Sequence, residues 1–269
     1  GVKMVATRHD KYRYNNLPFV LNTDLKRTYF NRSAESNWHE DLEIQLCTQG
    51  NGTVLLDGEK YDFRKDDIIV VNSNVIHYTG TDTNLTYSCI IVSNDFCQKI
   101  GIDPRKLTFY PKVKNQNITD QFYKLIKIYI NPETPFQIAK LNEIILKILI
   151  ELADNHIIKT SPNSNMKNFE TVKSVITYIR ENYNKKITLD EISKAVLYDK
   201  YALCREFKRL TGQTIIENLN NYRCIKAMSF LNEGYTVAKT AELCGFDNLS
   251  FFTKTFKKHI GKLPSEYKK

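Results

Sequence analysis

The sequence has no hydrophobic run long enough to cross a membrane. A spanning helix needs about 18 or more consecutive apolar residues, whereas the longest run here, Ile144–Ile150, is interrupted by Lys147. The first residues, GVKMVATRHDK, contain no apolar core of a secretory signal. We therefore expect a cytoplasmic protein with no membrane partner.

Cysteine is present, but not in the patterns that form zinc sites or disulfide frameworks. The chain has no CxxC pair and no His–Cys combination at zinc-finger spacing. Scattered thiols of this kind are typical of proteins in a reducing compartment. The six residues are Cys47, Cys89, Cys97, Cys204, Cys224 and Cys244.

Acidic residues are scarce in the second part of the chain. Residues 165–269 contain 19 Lys and Arg against 11 Asp and Glu, so nearly all of the net charge of +9 lies there. Such asymmetry predicts an anionic partner for this part. A sequence-indifferent chromosome-binding protein would also explain the charge, but not the β-rich first part.

Hydrophobic patterning divides the chain in two. The first ninety or so residues contain short β-branched runs, with Asp57-Gly58 as a tight-hairpin signal. From about Asn117 the period becomes helical, and a long segment, Phe136–His156, follows. We predict an α+β fold of two domains: a β-barrel with two α-helices over residues 1–158, a polar linker over 159–168, and an all-α domain over 169–269.

The all-α part contains an internal repeat. DKYALCREFKRLTG at Asp199–Gly212 and NLSFFTKTFKKHIG at Asn248–Gly261 align with a separation of 49 residues. Each basic helix follows a short helix and a turn, and Thr188 with Glu191 forms a capping-box pattern before the first short helix. The repeat predicts two helix-turn-helix units, at about 188–212 and 236–261, whose second helices enter successive major grooves.

These residues resemble the AraC/XylS family of bacterial transcription regulators over residues 169–269. The most specific segments are CGFDNLSFFTKTFKKHIGKLPSEYKK and NYRCIKAMSFL, the latter resembling the helix that joins the two units in that family. Three positions depart from the family pattern: Ser193, Thr240 and Leu197, the last of which replaces a turn glycine. The resemblance implies double-stranded promoter DNA and RNA polymerase as partners, and activation more often than repression.

The first half resembles the cupin-type jelly roll that many such regulators carry. His39, Glu43 and Gly50 have the cupin spacing, and His77 follows in the second half of the barrel. The resemblance implies a domain that senses a small effector and dimerises. We expect the polar linker to tether the domains loosely, so that coupling between them runs through direct domain contacts.

The repeated helices supply the candidate DNA contacts. Residues one helical turn apart, Leu203 with Phe207 and Phe252 with Phe256, are expected to face the core. The resemblance places the base-reading residues on the opposite side: Tyr201, Cys204 and Arg205 in the first helix, and Leu249, Ser250, Thr253 and Lys254 in the second. The remaining basic side chains suit phosphate contacts, and these are Lys200, Lys208, Arg209, Lys257 and Lys258.

The barrel supplies candidate effector contacts. His39, Glu43 and His77 are of metal-ligating types, but Asn37 replaces the first His of the cupin pair, so we predict neither a metal nor a cofactor. Strand alternation places His39, Glu43 and Gln45 on one face, which is solvated if the opposite, apolar face lines the barrel. We expect a sugar-like or fatty-acid effector, with these candidate anchors: Tyr29, His39, Glu43, Gln45, His77 and Tyr87.

An apolar stripe on the long helical segment predicts a homodimer, although the same face could instead be used inside the monomer. The stripe contains Leu141, Ile145, Ile148, Leu149 and Leu152. We interpret the whole chain as a sequence-specific DNA-binding regulator and not an enzyme. Two alternatives remain: a metal-dependent cupin enzyme tethered to DNA-binding helices, and a regulator whose barrel only dimerises.

Overall fold

The computed structural model describes residues 17–28, 37–158 and 166–267. The strands in these ranges are β1 (Phe19–Thr28), β2 (Leu42–Leu56), β3 (Glu59–Arg64), β4 (Ile68–Val71), β5 (His77–Gly80), β6 (Asn84–Val92) and β7 (Lys112–Val113). The helices are α1 (Asn94–Lys99), α2 (Gln116–Tyr129), α3 (Gln137–Asn155), α4 (Met166–Asn182), α5 (Leu189–Ala195), α6 (Lys200–Thr211), α7 (Ile215–Asn232), α8 (Val237–Leu243), α9 (Leu249–Ile260) and α10 (Pro264–Tyr267). None of the helices in the described ranges combines the length and the apolar character needed to cross a membrane.

The long strand β2 organises the barrel. Its first half pairs with β4 and β6, and its second half pairs with β3 and β5, all antiparallel. The main sheet has the order β1-β6-β2-β4-β7. The predicted hairpin is confirmed: Asp57 and Gly58, with φ of 48° and 90°, connect β2 to β3. Because β2 belongs to both groups of strands, the chain closes around an interior.

Both faces of the first half of β2 are buried. Leu42, Ile44 and Leu46 belong to the core that α2 and α3 complete. On the other face, Glu43 and Gln45 are only 2% and 1% exposed, and point into the barrel. The alternative in which this face is solvated is therefore excluded, because helices cover the apolar face and leave the polar face inside.

The apolar stripe of α3 is part of the same core. Its five predicted interface residues are each at most 1% exposed, and they are Leu141, Ile145, Ile148, Leu149 and Leu152. They pack with α2 and the outer face of the main sheet within a single chain. The prediction that they form a dimer interface is wrong, because residues already buried in the monomer offer no surface to a partner.

Two apolar cores, joined by α7, build the helical half. Ile215 and Leu219 of α7 pack with α4, α5 and α6, whereas Ala227 and Leu231 pack with α8 and α9. Helix α4 begins at Met166, so residues 166–168 belong to it and not to the predicted linker. The rest of that linker, residues 159–165, lies outside the described residues.

The repeat is confirmed at the level of helices and caps. The side chains of Asp199 and Asn248 each accept a hydrogen bond at 2.8 Å from the backbone N–H three residues on, which starts α6 and α9. Gly212 and Gly261 end these helices with left-handed φ of 72° and 83°. The capping box of Thr188 and Glu191 is also present at α5.

The turns of the two units differ at one strained residue. Leu197 has a φ of 52° and is 90% exposed, whereas Gly245, at the corresponding place after α8, has a φ of 75°. A side chain at Gly245 would bring its Cβ to 2.6 Å from the carbonyl oxygen of Tyr183. Left-handed backbone costs a non-glycine residue about 1–2 kcal/mol, so the first unit carries strain that the second avoids.

We predict that Leu197→Gly stabilises the protein. Relief of strain exceeds the added entropy of glycine in the unfolded chain, leaving a net gain of about 0.5–1 kcal/mol. Urea denaturation followed by circular dichroism measures the gain. Gly245→Ala is the matched control and should lower stability, and a lower stability for Leu197→Gly would contradict the assignment of strain.

Candidate functional site

Helix α6 presents one apolar and one polar face. Leu203 and Phe207 are at most 1% exposed in the core of the first unit, as the repeat predicted. On the opposite side Tyr201 is 77% exposed and Arg205 is also exposed. Cys204 is half-buried and packs against the core. An exposed aromatic ring beside an exposed guanidinium is a surface able to contact a ligand rather than one needed for packing.

Helix α9 repeats this arrangement. Phe252 and Phe256 are fully buried, whereas Leu249, Ser250 and Lys254 are exposed. Thr253 is half-buried, and its hydroxyl donates to the carbonyl oxygen of Leu249 at 2.9 Å. The four candidate base-reading residues of α9 line one shallow groove together with Lys257 and Leu263.

The candidate phosphate-binding residues fall into two groups. Lys208, Lys257 and Lys258 are exposed. Lys200 instead donates to Asp190 of α5 at 2.7 Å, and Arg209 donates to Glu206 at 3.0 Å. Surface pairs of this kind are weak, so DNA phosphates can compete for these two cations.

A buried arginine connects the two units. Arg223 of α7 is 8% exposed and donates hydrogen bonds to the carbonyl oxygens of Tyr183 and Lys185, both at 2.7 Å. Its guanidinium also lies 5.4 Å from the ring centroid of Phe246, in the turn of the second unit. Burial lowers the pKa of this guanidinium from its ordinary value. Arg223 therefore ties the end of α4 to the turn before α9.

Inside the barrel, four of the six candidate anchors come together. Nε2 of His39 lies 2.9 Å from Oε2 of Glu43, and Nε2 of His77 lies 3.5 Å from the same oxygen. Gln45 donates to Oε1 of Glu43 at 2.9 Å. Thr79, which no sequence pattern singled out, donates to Gln45 at 2.9 Å. We name His39, Glu43 and His77 the barrel triad.

The other two candidate anchors do not join the triad. Tyr87 pairs with Cys47 across β6 and β2, two inward-facing positions along from Glu43, and its hydroxyl accepts from Arg27 at 3.0 Å. Tyr29 lies outside the described residues. A separate polar depression lies at the rim of the barrel, and it is lined by Gly50, Asn51, Gly52, Thr53, Asp62, Arg64, Lys65, Thr81, Asp82 and Thr83.

The residues just before His39 contact the helical half. Trp38 packs on the core of the first unit, and Nζ of Lys173 in α4 lies 5.1 Å from its ring centroid. The side-chain oxygen of Asn37 accepts a hydrogen bond from Arg180 of α4. Asn37, noted in the sequence only as a missing ligand, is thus an interdomain contact. We call residues 37–39 the strap.

The β2–β3 hairpin makes a second interdomain contact. A Cβ at Gly58 would lie 2.8 Å from the carbonyl oxygen of Arg209, near the end of α6. The side chain of Leu55 lies beside Gly212, which ends α6, because a Cβ there would be 3.2 Å from it. Ile76 of the barrel is fully buried in the core of the first unit. The first helix-turn-helix unit therefore packs directly against the barrel. Direct contacts between the two domains, which we expected from the sequence, are present.

The carboxyl group of Asp57 lies at this contact, and its pKa is raised. Burial raises the pKa of its carboxyl group to about 6 and outweighs the hydrogen bond from the backbone N–H of Ile76 and the attraction of nearby cations. Lys173, His77 and Arg209 are those charged or titratable neighbours. In the unfolded chain an aspartate has a pKa of about 3.9. The folded state therefore holds this proton more tightly, and stability falls as pH rises from about 4 to 6.

We predict that Asp57→Asn raises the melting temperature at pH 7 but not at pH 4. Asparagine keeps the acceptor for Ile76 and tolerates the left-handed backbone, while it removes a buried charge costing up to about 3 kcal/mol. Calorimetry at both pH values measures the difference in melting temperature between the variant and the wild type. Asp62→Asn, at an exposed site on β3, is the control. An equal gain at pH 4 would contradict ionisation as the cause.

Comparison with known proteins agrees with this architecture. An AraC-like ligand binding domain matches residues 26–149, and a helix-turn-helix domain matches residues 192–269. The chain is 24% identical over 251 residues to YdeC of Bacillus subtilis, an uncharacterized HTH-type transcriptional regulator, covering 87% of this chain and 85% of that protein. It is 22% identical over 267 residues to another, YdiP of Escherichia coli, covering 93% and 88%.

A solved structure has the same fold. A point variant of apo ToxT from Vibrio cholerae superposes with a TM-score of 0.51 at 16% identity, covering 95% of this chain and 98% of that one. A β-barrel joined to an all-α domain with two helix-turn-helix units is the architecture of a DNA-binding transcription regulator with a ligand-binding domain. The chain thus carries an AraC-like ligand binding domain followed by a helix-turn-helix domain, and its relatives over nearly the whole length are HTH-type transcriptional regulators.

Proposed function

We propose that this protein activates transcription by binding promoter DNA through α6 and α9, under the control of a small molecule held by the barrel. The observation that carries the proposal is the equivalence of two helices that bury matched residues and expose matched cations. Leu203 and Phe252 occupy the same buried position, and Arg205 and Lys254 the same exposed one. A scaffold repeated around two exposed basic faces fits two successive major grooves.

Each helix contributes both base and phosphate contacts in this proposal. Arg205 and Lys254 donate to guanine acceptors, and the apolar surfaces of Tyr201 and Leu249 contact thymine methyl groups. Ser250, Thr253 and Cys204 line the same faces as weaker contacts. The phosphate contacts come from Lys200, Lys208, Arg209, Lys257 and Lys258.

We predict that Arg205→Ala and Lys254→Ala each weaken binding to the specific promoter site by about 1–3 kcal/mol and relax base preference at one half of it. Lys258→Ala should weaken binding to all sequences alike and reduce the salt dependence by about one unit of slope. Fluorescence anisotropy with specific and scrambled duplexes at several salt concentrations separates the two effects.

The control for loss of one positive charge is Lys127→Ala, on the exposed surface of α2 in the barrel half. It should leave both affinity and preference unchanged. If Arg205→Ala behaved like Lys127→Ala, the first unit would not read bases, and base recognition would depend on α9 alone.

The regulatory part of the proposal rests on the contacts between barrel and α6. A ligand alters DNA binding only if it binds the two DNA-binding states unequally. The strap and the β2–β3 hairpin connect the barrel to α4 and to the end of α6, so a shift of either would move the first unit. Polar anchors favour a sugar-like effector, and the apolar residues around Tyr87 would suit a fatty acid. Bound to its promoter, the protein would activate by contacting RNA polymerase.

We also propose that the protein is a homodimer, now through a surface other than the buried stripe. Ile130, Phe136 and Ile138, around the turn between α2 and α3, are 64%, 83% and 46% exposed. Phe136 also has a left-handed φ of 56°. A strained, exposed aromatic residue among other apolar side chains supports an interface at this turn.

We predict that Phe136→Asn gives a stable monomer, because asparagine adopts left-handed backbone more readily and removes the apolar contact. Light scattering measures the mass, with Ile150→Gln as the control at a different exposed apolar site of α3. Ile145→Lys, in the core, should instead unfold the domain. A dimer that survives Phe136→Asn would place the interface elsewhere.

A further inference from the structure

The turn of the first helix-turn-helix unit carries a strongly exposed apolar side chain. Leu197 is 90% exposed and holds a left-handed φ of 52°. Its neighbours Val196 and Tyr198 both pack against the core of the first unit. The chain thus covers the residues on either side of Leu197 and turns this one side chain toward solvent. Both the exposed apolar surface and the left-handed backbone are unfavourable for the protein on its own.

A side-chain hydrogen bond holds this turn in place. The hydroxyl of Ser193 in α5 donates to the carbonyl oxygen of Tyr198 at 2.6 Å. The backbone N–H of Tyr198 donates in return to the carbonyl oxygen of Ser193 at 3.1 Å. In the second unit the matching backbone bond runs from Phe246 to Ala241 at 2.9 Å, but alanine has no hydroxyl to add the second bond. The first turn therefore has a brace that the second cannot have.

Two departures of the first unit from the family pattern thus belong to one turn. Ser193 and Leu197 are both positions at which the sequence differs from that pattern. The Ser193 hydroxyl fixes the backbone one residue after Leu197, so it stabilises the conformation that Leu197 strains. Strained residues held in place by their surroundings cluster at binding sites. The strain and its brace together point to a contact made by the Leu197 side chain.

The position of Leu197 indicates what it contacts. It lies two residues before Asp199, the N-cap of α6. The first turn of α6 exposes Tyr201, and Arg205 is exposed one turn further on. Nζ of Lys200 lies 5.6 Å from the ring centroid of Tyr201. In helix-turn-helix proteins the N-terminal residues of the second helix contact base edges. Leu197 therefore stands beside cations at the end of α6 that suits a DNA groove.

We propose that Leu197 is a base-reading residue, which contacts the C5-methyl group of a thymine in the major groove entered by α6. The proposal rests on the DNA-binding function above and adds a residue that lies outside α6 and α9. The thymine methyl group is the apolar feature of the major groove, so an apolar side chain reads it. The left-handed turn directs the side chain outward, and Ser193 is a positioning residue that holds the turn.

Replacement of thymine by deoxyuridine tests this contact, because it removes the methyl group and keeps the base pair. The probe is a duplex carrying the site that full-length protein enriches from random DNA, with each thymine replaced in turn. We predict a position at which the wild-type protein loses about 4-fold in affinity, as expected for one buried methyl group. Leu197→Gly and Leu197→Asn should bind the thymine duplex about 4-fold more weakly and lose nothing further at that position.

Further variants separate the side chain from the turn. Glycine and asparagine both accommodate left-handed backbone, and Leu197→Gly is expected to raise stability, so its weaker binding would not reflect unfolding. Leu197→Met keeps an apolar side chain and should keep the methyl preference. Ser193→Ala should reduce that preference, but should not change it when combined with Leu197→Gly. Ile150→Gln, which removes an exposed apolar side chain on α3, is the control and should bind like the wild type.

The proposal is overturned if Leu197→Gly and Leu197→Asn bind every duplex as tightly as the wild type, a result that would assign Leu197 to a protein partner. It is also overturned if both variants keep the full wild-type loss at every deoxyuridine position. A wild-type protein that binds enriched and scrambled duplexes alike would contradict the proposed DNA-binding function itself. Sequence preference without a position that depends on Leu197 would contradict this inference alone.

Discussion

The relative placement of the two DNA-binding units depends on one buried helix, α7. Its buried apolar residues form two stripes, which enter two separate cores on opposite sides. A helix with two buried apolar faces cannot rotate without exposing apolar surface to water. Arg223 adds a directional constraint, because its guanidinium satisfies two carbonyl oxygens at the end of α4 while contacting Phe246. Leaving those donors unpaired inside the protein would be costly.

The barrel contacts this frame from one side. It contacts α4 through the strap and the end of α6 through the β2–β3 hairpin, whereas α9 is anchored by the second core. The two repeated helices, α6 and α9, therefore differ in their contacts to the barrel, although they come from one sequence repeat. We infer that a change in the barrel would shift the first unit, and with it the whole frame, relative to the barrel and alter how both helices are presented to DNA. A polar linker alone could not transmit such a change.

The sequence predicted the helical half well because its signals are local. Cap residues, turn glycines and the 49-residue repeat each depend on neighbours within a few turns, and the positions of Asp199, Asn248, Gly212 and Gly261 agree with them. The apolar stripe of α3 was different. Periodicity shows that a face is buried but not against what, and here the chain's own sheet covers it.

The barrel shows a second limit of prediction from the sequence. Alternation along β2 separates two faces, but only the positions of α2 and α3 decide that the face with Glu43 and Gln45 points inward. Thr79 and Asn37 carried no signal, because their partners Gln45 and Arg180 lie 34 and 143 residues away in sequence. Contacts of this kind arise from the fold itself.

Selection of the full-length protein on a library of random DNA duplexes tests the central claim most directly. If α6 and α9 both read bases from one rigid frame, the enriched sequences will contain two conserved elements with centres about 10–10.5 base pairs apart. Enrichment of a single element, or no enrichment over competitor DNA, would contradict the account.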